Sequence, residues 1–139
     1  MTMSNEKYNS RFPDWYWTNG LHDAKILSIS YFERTPDWKS KVPIRNRLQI
    51  EIDGTGALFE QNIRTMRLFN CKIKEPEINS EELYNKMDFD DFCGSWWISD
   101  TLNVLPNNRY SLEINVETEK QKHKKLIVEF EQPEIIYKE

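Results

Sequence analysis

Two cysteines, two histidines, four glycines and six prolines in 139 residues leave little material for several kinds of chemistry. Cys71 and Cys93 stand alone, with no CxxC pair, so neither a disulfide framework nor a cysteine-built zinc site has ligands to draw on. Both read as buried thiols. His22 and His123 are too few for a three-imidazole metal site, and neither HExxH nor HxH occurs. No cofactor and no metal are expected. GxxxxGK[ST] and GxGxxG are missing, and Gly54-Thr55-Gly56 has no following lysine, so it reads as a turn and not as a phosphate cradle. No GxSxG elbow offers a nucleophile. The first twenty residues lack the apolar core of a signal peptide, and no apolar run approaches the roughly 20 residues that span a bilayer. A cytoplasmic protein with no membrane partner is expected. Positive charge is in deficit: 19 Lys and Arg against 23 Asp and Glu give a net charge of −4, the wrong sign for a general nucleic-acid binder.

What is present is aromatic and strand-like. Five Trp, six Tyr and seven Phe suit a well-filled core, and 139 residues suit a single domain spanning 1–139, with residues 1–12 as a loose N-terminal segment. A first strand is expected from His22 to Glu33, with Leu27, Ile29 and Tyr31 at period two. Residues 47–53 alternate cleanly, Leu48, Ile50 and Ile52 pointing one way and Gln49, Glu51 and Asp53 the other. After the GTG turn the β pattern continues from 57 to about Ile73. One helix is expected over residues 80–92, capped by Asn79 or Ser80, with Leu83 and Met87 toward the sheet. Strands return at 96–105, a turn at Pro106-Asn107-Asn108, a hairpin arm at 109–117, and a strand in which Leu126, Val128 and Phe130 face inward. Pro133 makes the last residues an edge strand or a tail. The sum is a β-rich α+β domain, a curved antiparallel sheet or a sandwich-like arrangement with one short helix.

Three groups of residues carry candidate function. Residues 75–91 hold Glu75, Glu77, Glu81, Glu82, Asp88, Asp90 and Asp91 against a single cation, Lys86. Such a face can steer and dock a basic partner, or simply keep a helix soluble. It lacks the glycine and terminal glutamate of a calcium loop. Adjacent Trp96 and Trp97 point to opposite faces of a strand, so one of them is either covered by another element or exposed as a contact. The Trp15-Tyr16-Trp17 cluster carries the same two alternatives. His22 beside Asp23 is either a structural hydrogen-bonding group near the start of the first strand or half of a catalytic dyad in a pocket with Trp15, Trp17 and Trp97. His123, in QKHKK, reads as part of a solvated hairpin tip.

At WTNGLHDAKILSI, NRLQIEIDGTGALFE and FNCKI, with WWISDTL further on, the chain resembles a group of small bacterial cytosolic proteins, some of which look like immunity proteins of polymorphic or contact-dependent toxin systems. The shared element is the Gly20-x-His22-Asp23-Ala24 opening before a strand, and the likeness spans most of residues 15–130. The resemblance implies a small β-rich fold and a protein that works by occupying another protein. It transfers no functional residue. The expected function is therefore a non-enzymatic protein-binding module, an immunity-type inhibitor of a basic toxin domain. Its expected contact residues are Glu81, Glu82, Asp88, Asp90, Asp91 and Trp96 or Trp97. A small hydrolase using His22 and Asp23, or a self-associating homodimer, are the alternatives.

Overall fold

A chain that alternates apolar and polar residues can satisfy its backbone and bury one face only as a strand in a sheet. The structure, a computed structural model, describes residues 20–35, 45–58, 62–76, 89 and 92–138. Eight strands run through them: β1 (Lys25–Thr35), β2 (Arg45–Asp53), β3 (Ile63–Phe69), β4 (Lys72–Glu75), β5 (Trp96–Leu105), β6 (Arg109–Glu117), β7 (His123–Phe130) and β8 (Gln132–Tyr137). They form one antiparallel sheet in the order β4-β7-β6-β5-β1-β2-β3-β8. The described residues are thus mostly β rather than α+β. Pro106–Asn108 at the β5–β6 hairpin form a 3-10 turn, and no α-helix lies among the described residues. The helix expected over 80–92 lies outside the described residues except for Phe89 and Phe92, which are buried and meet edge to face with centroids 5.9 Å apart. Among the described residues no helix is long and apolar enough to cross a membrane.

The sheet bends where the chain crosses between its two ends. Phe69 faces Gln132 across β3–β8, and past the bend Lys72 faces Glu129 and Ile73 faces Val128 across β4–β7 in the same register. Two residues, Asn70 and Cys71, join β3 to β4, and Glu131 alone joins β7 to β8. One ribbon therefore serves both ends of the strand order, and the inward side chains of both halves meet in a single core. Leu48, Ile50, Leu68, Leu112, Ile114, Leu126, Val128 and Phe130 are all buried in it. Strands that pass from one packed layer to another through a bend are the usual way to turn such a corner.

Two expected strands are corrected. The first strand begins at Lys25, not His22, because Gly20–Asp23 form a turn in which Ala24 N–H donates to the Leu21 carbonyl at 2.8 Å and Asp23 adopts φ +73°. Within it a bulge between Ile26 and Ser28 breaks the period-two pattern. Ile26 and Ile29 are buried while Leu27, expected on the same face as Ile29, is 51% exposed. The β pattern expected from 57 starts only at Ile63: Ala57 N–H donates to the Gly54 carbonyl, extending the GTG turn, and residues 59–61 lie outside the described ones. Elsewhere the strands at 96–105 and 109–117 lie where the alternation placed them, and β8 is the end strand of the order.

Candidate functional site

The paired tryptophans divide as their alternation demands. Trp97 sits opposite Val116 on the inward face, is 1% exposed, and donates its indole N–H to Asp100 Oδ2 at 2.9 Å. Trp96 sits opposite Glu117 on the outward face, 44% exposed, with Lys25 Nζ 5.1 Å from its ring centroid. Trp97 is therefore removed from the candidate contact residues, because it is sealed in the core. The same burial keeps it from lining an open pocket with Trp15 and Trp17, which lie outside the described residues. Trp96 remains.

Trp96 is the centre of a row that crosses five strands. Asp53 faces Lys25, Lys25 faces Trp96, Trp96 faces Glu117, and Glu117 faces His123, over β2, β1, β5, β6 and β7. The β1–β5 junction is the narrow point: Lys25–Trp96 is its one register pair, held by Trp97 N–H to the Ala24 carbonyl and Ile26 N–H to the Ser95 carbonyl, both 2.8 Å. Asp53 Oδ1 accepts the Thr55 backbone N–H at 3.0 Å. The Thr55 hydroxyl and then this N–H hold the Asp53 carboxyl below its ordinary pKa, as hydrogen bonds to the charged form do.

His22 and Asp23 lie together near the other end of the same junction. His22 Nδ1 is 2.6 Å from the Ile98 carbonyl oxygen, which can only accept, so Nδ1 carries the proton. Nε2 lies 3.6 Å from Asp23 Oδ1, and the two side chains are 42% and 65% exposed. The ring is neither sealed in the core nor oriented as in a catalytic dyad. An orienting carboxylate binds the nitrogen opposite the reacting one, whereas Asp23 stands beside Nε2, the nitrogen left for a substrate. Among the described residues, no hydroxyl or thiol is hydrogen-bonded to either ring nitrogen, and no group of three His, Cys, Asp or Glu could hold a metal ion.

Glu81, Glu82, Asp88, Asp90 and Asp91 lie outside the described residues. One polar cluster escaped the sequence reading. On the outward face of β2, β3 and β8, Thr65 Oγ1 donates to Glu51, Gln49 Nε2 donates to Glu51, Arg67 Nε donates to Gln49, and Arg67 Nη1 donates to Glu134 at 2.8 Å. Beside it the Arg47 guanidinium stacks on Phe32 at 4.2 Å, its pKa lowered first by burial and then by the charge of Arg67. The outward alternation of Gln49 and Glu51 was visible in sequence, but their partners across the sheet depend on register. The cluster ties three strands together and presents no nucleophile. No family model matches the chain, and no curated protein or solved structure matches it.

Proposed function

We propose that the protein is a non-enzymatic, cytoplasmic protein-binding module of the immunity type, which neutralises a basic bacterial toxin domain by occupying it. The observation that carries this reading is Trp96, an exposed tryptophan set among charged side chains on a rigid sheet. A large aromatic anchor ringed by polar groups is the usual composition of a binding hot spot. The acidic residues Glu81, Glu82, Asp88, Asp90 and Asp91 belong to the same reading as the groups that steer a basic partner, carried by the short helix expected beside a curved, sandwich-like sheet. The test uses the intact protein as bait in lysate and secreted fractions of its source bacterium at low and moderate salt, beside two variants, Trp96→Ser and Asp88→Lys/Asp90→Lys/Asp91→Lys. The expected result is a stoichiometric protein that is toxic when expressed alone and harmless when co-expressed with this chain. Its capture falls with salt and with either variant. A bait that retains nothing at either salt overturns the proposal.

A second reading is a small hydrolase using His22 and Asp23. The half-exposed His22 ring, whose Nδ1 proton is held by the Ile98 carbonyl so that Nε2 keeps a free lone pair, favours it. A hydrolytic activity abolished by His22→Ala, with the fold intact, would establish it. A screen of ester, amide and phosphoester substrates that finds no turnover removes it.

A further inference from the structure

The row through Trp96 has a sequence of charges that reads the same when reversed and inverted. In order it is Asp53, Lys25, Trp96, Glu117, His123, an acid and a base on one side of the ring and an acid and an imidazole on the other. Neighbouring strands are about 4.8 Å apart, so the row is about 19 Å long. Its members are half-buried or exposed, and the inward neighbours Ala24, Ile26, Trp97 and Val116 are buried. These five side chains therefore form a surface and no part of the core.

Two copies laid face to face on this surface can be related by a two-fold axis in one of two directions. With the axis along the row, each residue meets its own copy, Lys25 over Lys25 and Glu117 over Glu117, and like charges repel. With the axis along the strands through Trp96, the row is reversed. Trp96 then meets Trp96, Lys25 meets Glu117 of the second copy twice, and Asp53 meets His123 of the second copy twice. Each ionised side chain faces a complementary one, and the imidazole N–H donates to the carboxylate in either charge state. We infer that the Trp96 face docks on a second copy of this chain in an isologous dimer whose two-fold axis runs parallel to the strands through Trp96. Self-complementarity of one patch is the requirement of such an interface, and the repulsion in the other direction fixes the axis.

The magnitude follows from size. The twist of the sheet turns the outer strands away from a flat contact. Trp96 and the two Lys25–Glu117 pairs therefore form the centre, and Asp53 and His123 the rim. One row is smaller than the ~800 Å² per partner of a stable complex. The dimer is weak, and it assembles toward the upper micromolar range. The inference rests on the reading of Trp96 as a contact residue, and it adds that a foreign partner on this face competes with the second copy.

Sedimentation equilibrium at low salt, over a concentration series to about 1 mM, where about 4 kcal/mol is enough to hold two partners together, tests it. The unaltered protein is expected to approach twice its monomer mass and to fall back as salt rises. Trp96→Ser is expected to remain monomeric. Lys25→Glu and Glu117→Lys are each expected to weaken association at least about tenfold, since each places two like-charged pairs at the centre. Mixed one to one, those two variants are expected to recover the dimer, because each reversed side chain then meets its complement. If either single variant fails to fold by circular dichroism, the double variant Lys25→Glu/Glu117→Lys replaces the mixture and must dimerise, since its row is again self-complementary. A protein that stays monomeric throughout overturns the inference. So does a dimer untouched by Trp96→Ser, or a folded pair of variants whose mixture fails to associate. A toxin captured through Trp96 by a chain that never dimerises would overturn this inference alone. A dimer with no toxin retained would overturn the immunity reading alone.

Discussion

The side-chain amide of Asn46 brackets the backbone of Cys71. Its Oδ1 accepts the Cys71 N–H at 2.7 Å and its Nδ2 donates to the Cys71 carbonyl at 3.0 Å, the double bond pattern that one strand residue makes with another. Nδ2 also donates to the Tyr31 hydroxyl at 2.8 Å, and the Asn46 carbonyl accepts the Asn70 N–H at 2.9 Å. The ribbon bend at Asn70-Cys71 is thus pinned to β2 by a single residue. From the far side Arg109 donates to the Asn70 carbonyl and to Glu131 Oε2, each at 3.2 Å, so both bends of the ribbon are held at one place.

Asn46→Ala should therefore destabilise the fold by about 2–3 kcal/mol, three partly shielded hydrogen bonds at about 1 kcal/mol each. Asn46→Asp keeps the acceptor for the Cys71 N–H but sets a carboxylate against the Cys71 carbonyl, and it should cost at least as much. Urea unfolding at neutral pH measures both. A loss below about 0.5 kcal/mol for Asn46→Ala would show that the bend holds itself.

The two adjacent tryptophans should differ sharply in what they contribute to stability. Trp97→Phe shrinks a fully buried ring and withdraws the indole N–H from the buried Asp100 carboxylate, and it should cost about 3 kcal/mol. Trp96→Ala removes an exposed ring and one cation–π contact with Lys25, and should cost less than about 1 kcal/mol. Guanidinium unfolding of the two variants gives the comparison. Equal losses would contradict the opposite facing of these residues.

That opposite facing was legible in the sequence, as were β5, β6 and the inward set Leu126, Val128 and Phe130, because strand alternation is local and both sides of each pattern are written in consecutive residues. What could not be read is what depends on distant partners. Period-two spacing puts Leu27 on the face of Ile29 because nothing in KILSISY marks the bulge after Ile26; the extra residue is set by the pairing of β1 with β2. The local pattern puts His22 on a strand, yet its position is fixed by the Ile98 carbonyl, 76 residues away in the chain. The row through Trp96 joins residues 25, 53, 96, 117 and 123, and their adjacency appears only once strand order and register are known.

Asp53 should titrate below the ordinary aspartate value of about 3.9, because the Thr55 hydroxyl and backbone N–H both stabilise its charged form. A depressed folded-state pKa gives stability that is present above the unfolded value and is lost as pH falls through the folded one. The Asp53 contribution therefore persists through neutral pH and disappears only on acidification below the usual carboxylate range. Carbon-13 NMR of the side-chain carboxyl measures the midpoint. Thr55→Val, which removes the hydroxyl and keeps the N–H, should move it part of the way back up. A midpoint at or above the ordinary value would contradict the turn geometry.

His22 should exist, when neutral, as the tautomer protonated on Nδ1. The Ile98 carbonyl oxygen at 2.6 Å has no proton to give, so the imidazole must supply one, and the other nitrogen is left with its lone pair beside Asp23. Long-range nitrogen-15 correlation spectra distinguish the two ring nitrogens directly. Nδ1 should show the shift of a protonated, pyrrole-like nitrogen and Nε2 that of a bare, pyridine-like one at a pH where the ring is neutral. The reverse assignment would mean that the bond to Ile98 does not form, and the turn Gly20–Asp23 would then need another anchor. The same experiment weighs on function. In the expected tautomer the neutral ring has its one available lone pair at Nε2, and the negative charge of Asp23 3.6 Å away favours a proton there, so Asp23→Asn should alter a hydrolytic activity if His22 is its base and leave capture of a protein partner through Trp96 unchanged.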